Sequence, residues 1–342
     1  MKEFPEMTIT PDKLFELQCG VVKGQMLMVA VNLSVFNYTV EPKHSNDVAS
    51  EIGTDPDNTE LFLNALASIG LLVKKDGVFR NTELSDAFLV EGKETYLGDF
   101  LKFNESFLFK NADEMKTVII KGFASHEEGE KENDALYSYM AMSNFARSGS
   151  SQAVAKAIAN LPEFNGFTKM LDLGGGHGLD AIATVKMHPS MAGVVFDNAA
   201  GSQAATDNIC KYGMEDRMDV LTGDYLTDSI GSGYDLIFAK AALNFAGPNL
   251  ESVVRKIFDA LNEGGVFVSI HDGLTAERTS PETTVVSWLP FALSAIDVSL
   301  EKEQIPGAMT AAGFSRLETQ PYHFPLGGEL DMVVGRKVQI KH

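Results

Sequence analysis

The spacing of apolar positions changes several times along this chain. From Pro11 to Val40, apolar residues recur at helical intervals (Leu14, Leu17, Val21, Met26, Val29, Leu33). The pattern predicts a long helix, more apolar than one domain face needs, buried in its own core or against a partner subunit. A short helix is expected over Asn46–Ile52. A second runs from Asn58 to Ile69, with Leu61, Phe62, Ala65, Leu66 and Ile69 on one side. Leu71 to Arg80 then reads as a β-hairpin around Asp76-Gly77. Helix, helix, hairpin is a winged-helix outline. Residues 101–165 read as helical, with an acidic run from Glu127 to Glu132 expected as a solvated loop. From Phe167 onward strands and helices alternate. Strands are expected at Lys169–Leu173, Gly193–Asp197, Met218–Leu221, Leu236–Ala239 and Val266–Ile270, and a clear helix over Asn249–Leu261. That alternation predicts a doubly wound α/β sheet with its ligand site at the carboxyl ends of the strands. The expected organisation is a dimerisation module over 1–105, a helical segment over 106–165 and the α/β domain over 166–342.

The strand Met170 to Leu173 runs into Gly174-Gly175-Gly176-His177-Gly178 and then into a helix from Leu179 to Lys186. Glycines let backbone approach a ligand and take positive φ, and the helix start presents unpaired N–H groups. A second apolar strand ends in Asp197, 25 residues after Asp172. A carboxylate at that strand tip is placed to accept the hydroxyls of a ribose. Residues 170–197 therefore read as a βαβ nucleoside-binding unit.

Composition narrows the partners. The net charge of −19 over 342 residues argues against nucleic acid, because phosphate binding needs clustered Lys and Arg. The helix that would read DNA in a winged-helix module, Asn58 to Ser68, carries Glu60 and no Lys or Arg, which leaves dimerisation as its use. No uninterrupted apolar run reaches about 18 residues, so no membrane span is expected. The first residues carry no signal-peptide pattern, and the two cysteines, Cys19 and Cys210, suit a reducing cytoplasm and exclude a Cys-rich metal site. No metal is expected.

Nearly the whole chain resembles the two-domain, caffeate- and acetylserotonin-type family of S-adenosylmethionine-dependent small-molecule O-methyltransferases. The matches are Asp172 to Gly178, Phe196-Asp197, Gly223-Asp224-Tyr225, Tyr234-Asp235-Leu236-Ile237, Lys240 and the Gly264-Gly265 turn. The resemblance implies a Rossmann-like class I methyltransferase domain behind an all-α, winged-helix-like dimerisation domain, a homodimer, and S-adenosylmethionine as cofactor. It implies that the turn Gly174, Gly175 and Gly176, with Asp172, takes the amino-acid end of that cofactor. Asp197 would accept from the ribose and Asp224 from the adenine amino group, Tyr225 would stack on the ring, and Lys240 would sit beside it. A nicotinamide dehydrogenase, the rival for this fold, shows a wider Gly-x-Gly-x-x-Gly spacing and a βαβ unit at the N-terminus. One position departs from the family. Its general base is a His after the fourth strand, and the matching residue here is Asn244, which takes no proton near pH 7. The family's first supporting acid matches His271, in Ile270-His271-Asp272, and the second falls near Ser299 and Glu301.

Magnitudes show what the departure means. Ionising a phenol of pKa about 10 at pH 7 costs roughly 4 kcal/mol, and an alcohol near water's value of about 15.7 costs on the order of 12 kcal/mol. A hydroxyl acceptor therefore gains greatly from a base. A thioether or neutral amine attacks with a lone pair and needs only an in-line approach in a dry pocket. Three readings stay open. His271 replaces the base while Asn244 orients a hydroxyl, with Asp272 as the alternative structural partner of His271. Or sulfur or nitrogen is methylated without a base, for instance a methylthio-hydroxy acid held by Arg147 or Arg278 through its carboxylate. Or catalysis has been lost and the chain is a cofactor-binding regulator. The acceptor pocket is expected between the domains, with Tyr139, Met140, Met142, Asn144, Trp288, Phe103, Phe107, Leu289 and Phe291 as candidate walls.

Overall fold

A computed structural model describes residues 7–109, 111–122, 132–293, 297–324 and 328–338. Residues 127–131 of the acidic run lie outside these. The chain forms two compact units, Met1–Lys102 and Phe103–His342. The helical segment that the sequence set apart from the α/β domain falls within the second.

In the first unit, α1 (Asp12–Asn32) ends where Ser34 turns left-handed at φ 51°, and α2 (Val35–Tyr38) follows. Strand β1 (Lys43–His44) leads into α3 (Ser45–Ile52) and α4 (Pro56–Ser68). Asp55 caps α4 by accepting from the Asn58 N–H, with Pro56 at the first helical position, where no N–H is needed. The hairpin β2 (Leu72–Lys75) and β3 (Val78–Asn81) turns on Asp76 and Gly77, both at positive φ (49° and 80°), as a two-residue hairpin turn requires. The sheet order is β1-β3-β2, and α5 (Glu83–Phe88) follows. Ala30, Val35, Phe36, Val48, Leu63, Leu66 and Phe79 form its core.

Only the end of α1 joins that core. Its earlier turns expose Leu14, Phe15, Leu17, Val21 and Val22, each more than half accessible. By length and composition α1 is also apolar enough to cross a membrane, which the absence of an uninterrupted apolar run did not suggest. Scattered polar residues such as Glu16 and Lys23 break the run but leave the helix apolar on average.

Helix α6 (Gly98–Phe107) spans the boundary between the units, and α7 (Ala112–Lys121) and α8 (Glu132–Phe145) follow. A π-helical turn (Ala146–Ser150), kinked at Gly149, leads to α9 (Ser151–Ala159). Then come β4 (Lys169–Leu173), α10 (Leu179–Met187), β5 (Ala192–Asp197), α11 (Ala199–Lys211), β6 (Met218–Thr222) and β7 (Tyr234–Lys240). A 3-10 segment (Leu243–Asn249) precedes α12 (Leu250–Ala260), β8 (Leu261–His271), α13 (Glu282–Ala292), α14 (Gln304–Ala312), β9 (Ser315–Phe324) and β10 (Gly328–Arg336). The sheet order is β6-β5-β4-β7-β8-β10-β9. The first five strands are parallel; β10 runs antiparallel to both β8 and β9. One face is covered by α9, α10 and α11 over Met170, Val195, Leu236 and Val268. The other carries α12 and α14 over Leu171, Ile237, Phe267 and Val333. The chain reverses direction across the sheet between β4 and β7, which opens a crevice at their carboxyl ends.

Candidate active site at the carboxyl ends of the strands

The crevice begins at the glycine turn after β4. Gly174 has φ 66°, and a Cβ there would lie 2.5 Å from Ala242 Cβ. Gly176 has φ 50°, and its Cβ would press the Tyr139 ring at 3.0 Å. Both positions therefore need glycine. Beneath the turn Asp172 is buried, and burial, with Asp180 and Asp197 nearby, pushes its carboxyl well above the usual range, against the pull of Lys240. Its Oδ2 has no hydrogen-bond partner among the described residues. An ammonium group on a ligand would supply the missing donor and the missing charge, so the turn fits the amino-acid end of S-adenosylmethionine. On α10, Asp180 is held down despite burial by Lys240, His177 and Ser151. Its Oδ2 lies 2.5 Å from Lys240 Nζ and its Oδ1 accepts from Ser151. Lys240, expected beside the cofactor, is paired with Asp180. His177 is driven by burial to about 4, and its Nδ1 accepts from the Leu179 N–H.

At the tip of β5, Asp197 accepts at Oδ2 from the Gly176 N–H (2.8 Å) and at Oδ1 from Asn198 N–H (2.8 Å) and Tyr139 O–H (2.9 Å). Asn198 also donates to the Tyr139 oxygen. Tyr139, expected in the acceptor wall, instead caps the carboxylate expected to hold the ribose. Nothing in the spacing of the sequence could join residues 58 apart. A ribose bound there would compete with the Tyr139 hydroxyl for the same oxygen. Asp224 accepts at Oδ1 from the Leu226 N–H, while its own N–H is tied to Asp228. It thus shapes the turn that presents Tyr225. The Tyr225 hydroxyl donates to Ala242 O (2.7 Å), and burial with Asp197 and Asp224 nearby raises it to about 12.

The other half of the crevice lies past β7 and β8. Ala241 stands at φ 53°, a left-handed value that an L side chain adopts only when its surroundings hold it there. Three residues on, Asn244 is 3% exposed. Its Nδ2 donates to Asp272 Oδ1 (2.6 Å) and to Val298 O (3.0 Å). Asp272 is raised by burial and partly restrained by hydrogen bonds from Asn244, its own backbone and the Trp288 side chain. Trp288 packs edge-on to Phe291 (5.3 Å), Phe291 meets Phe107 (4.8 Å), and Phe107 meets Phe103 (4.8 Å). An aromatic row therefore leads to Asp272.

His271 does not join this group through Asp272. It shares a strand face with Ser269, whose hydroxyl meets its Nδ1 at 3.0 Å. Burial lowers it to about 4, and its Nε2 has no partner among the described residues. Ser299 is turned to Asp297, and the Glu301 N–H to Gln304; from that loop it is the Val298 carbonyl that reaches Asn244. The two candidate arginines part company. Arg278 forms an exposed ion pair with Asp297 (2.8 Å). Arg147, on the π-helical turn, donates to Asn144 and acts electrostatically on His177, which puts it near the glycine turn. Met140 is exposed and Met142 half-buried.

A mostly parallel, doubly wound sheet with a glycine turn and two strand-end carboxylates at its switch point is the architecture of a class I methyltransferase. The family profile described as O-methyltransferase domain matches residues 97–315, and that of the O-methyltransferase dimerisation domain matches residues 15–91. The chain belongs to this O-methyltransferase family and is an S-adenosylmethionine-dependent methyltransferase. It is similar to the 3-hydroxy-5-methyl-1-naphthoate 3-O-methyltransferase of Streptomyces sahachiroi, with 25% identity over 76% of this chain and 77% of that one. It is also similar to the N,N-dimethyltransferase OxyT of Streptomyces rimosus, with 24% identity over 90% and 94%. Human N-acetylserotonin methyltransferase, solved in complex with S-adenosylmethionine, shares the fold with a TM-score of 0.77, 21% identity, and coverage of 98% and 100%.

Proposed function

We propose that the chain transfers the methyl group of S-adenosylmethionine to a neutral, soft atom of a small molecule, a thioether sulfur foremost, without a general base. One observation carries this reading: the position of the family's base holds Asn244, whose nitrogen is committed to Asp272 and the Val298 carbonyl. The bound donor supplies an electrophilic methyl group. The acceptor's lone pair forms the new bond as the methyl–sulfonium bond breaks, and the electron pair of that bond returns to the donor sulfur. No proton leaves, so none has to be received. The product then carries the positive charge, and the row Trp288, Phe291, Phe107 and Phe103 offers π faces suited to a cation excluded from water. Arg147 is the candidate for holding an acceptor carboxylate.

A second reading keeps a hydroxyl acceptor with His271 as base. The buried, unpartnered Nε2 of His271 favours it, as do the O-methylating relatives. A panel of methylthio carboxylic acids, amines and phenols with methyl-labelled S-adenosylmethionine separates the two. Label is expected in a sulfonium product. Turnover confined to phenols or alcohols would overturn the base-free reading. We further read the helix–helix–hairpin unit as a winged-helix-like platform for a homodimer, with the exposed apolar turns of α1 as the surface that a second copy covers.

A further inference from the structure

We infer that Asn244 selects acceptors bearing a hydroxyl or N–H group near the methylated atom, by accepting a hydrogen bond from that group at its Oδ1. The inference rests on the base-free reading and names the substrate class within it.

Both groups at the Asn244 nitrogen fix its orientation. The Val298 carbonyl can only accept, so the amide must turn its NH2 side toward it, and the Asp272 carboxylate accepts from the same nitrogen. The carbonyl branch then points away from both. Asn244 Oδ1 is buried and has no partner among the described residues. Leaving a buried acceptor unpaired is destabilising, and a donor on a bound molecule would recover that loss. Ala241 and Phe245, on either side of Asn244 in the same strained loop, are both exposed, so the loop borders open space. A thioether sulfur has no donor to offer. The matching donor must therefore sit elsewhere on the acceptor molecule. Asp272 accepts from the Asn244 amide at Oδ1 and acts as a positioning residue that keeps the Asn244 carbonyl aimed, while its Oδ2 is likewise buried without a partner among the described residues.

The test compares pairs of acceptors that differ by one donor. These are 2-(methylthio)ethanol against methyl propyl sulfide, and a methylthio-hydroxy acid against the same acid without its hydroxyl. The wild-type enzyme is expected to favour the donor-bearing member in kcat/KM by roughly 10- to 100-fold. In Asn244→Leu that ratio falls toward one. Trp288→Phe leaves the amide in place but loosens Asp272, and lowers the ratio in part, through KM. Calorimetric titration with S-adenosylmethionine and far-UV circular dichroism show whether each variant is folded. Should Asn244→Leu fail to fold, the wild-type and Trp288→Phe ratios still decide. Equal constants for the two members in the wild type, or a ratio unchanged by the substitutions, would overturn the inference and leave the base-free reading standing. Failure of every thioether, with phenols turned over, overturns that reading and the inference together.

Discussion

If no base operates, the rate of methyl transfer to a thioether should not change between pH 6 and pH 9. The only titratable side chain at the family's acid and base positions with a proton-accepting nitrogen is His271, and burial has lowered it to about 4. Moving a proton from a phenol of pKa about 10 onto such a group spans about six pH units, or on the order of 8 kcal/mol. Ionising the same phenol into water at pH 7 costs roughly 4 kcal/mol. Proton transfer to His271 as the structure holds it is therefore steeply uphill, and its Nδ1 is already engaged with Ser269. His271→Gln, which keeps a polar group near Ser269, should leave kcat with a thioether within about threefold, less than 1 kcal/mol on the barrier. The assay is initial rates with labelled donor, at saturating and limiting acceptor, across the pH range for both proteins. A limb rising tenfold per pH unit through an apparent pKa of 6 to 7, lost in His271→Gln along with most of the activity, would refute the reasoning.

Three further outcomes are expected. His177 and His271 are both lowered to about 4 in the folded protein, against 6.5 unfolded. As pH falls below 6.5 the unfolded chain takes up protons first, so stability is lost between pH 6.5 and 4. Urea titrations should show about 2 kcal/mol of loss per histidine at pH 5, with His271→Gln losing about half as much as wild type. Removing the Tyr139 hydroxyl frees one Asp197 oxygen for the ribose, so Tyr139→Phe should bind S-adenosylmethionine roughly two- to tenfold more tightly in calorimetry; weaker binding would show that the hydroxyl assists the ligand instead. Charge on the exposed turns of α1, as in Phe15→Glu with Val21→Glu, should convert a dimer to a monomer in light scattering, and an unchanged mass would exclude that surface.

The parallel strands and the glycine turn were legible because their causes are local. Apolar runs of four to six residues, bounded by glycines and carboxylates, are read along the chain, and the structure keeps four of them within one or two residues, while β8 starts five residues before the expected Val266 and takes in the Gly264-Gly265 turn. The hairpin β9–β10 and helices α13 and α14 had no place in the sequence reading. Polar residues such as Glu318, Gln320 and His323 dilute β9, and the apolar stretch Met332-Val333-Val334 makes sense only once β10 lies between β8 and β9. The site divided along the same line. Asp172 and Asp197 stand at strand ends, which the pattern marks. The contacts Tyr139–Asp197, Lys240–Asp180 and Asn244–Val298 join residues between 54 and 60 apart, and only the packed fold brings them together.

The two halves of the crevice are under different chemical constraints. Around the glycine turn, charge is arranged for a ligand of fixed form: Asp172 lacks a donor, Asp180 is neutralised by Lys240, and Asp197 gathers three. Changing any of these is expected to weaken binding of the methyl donor. Past β7 the constraint is the acceptor. A histidine there would need a partner for its proton and a path for the charge it gains. With Asn244 in its place no imidazolium forms, and the amide nitrogen is held by Asp272 and the Val298 carbonyl. That change follows if the acceptor carries no proton at the atom that reacts and must be recognised through a group that does not.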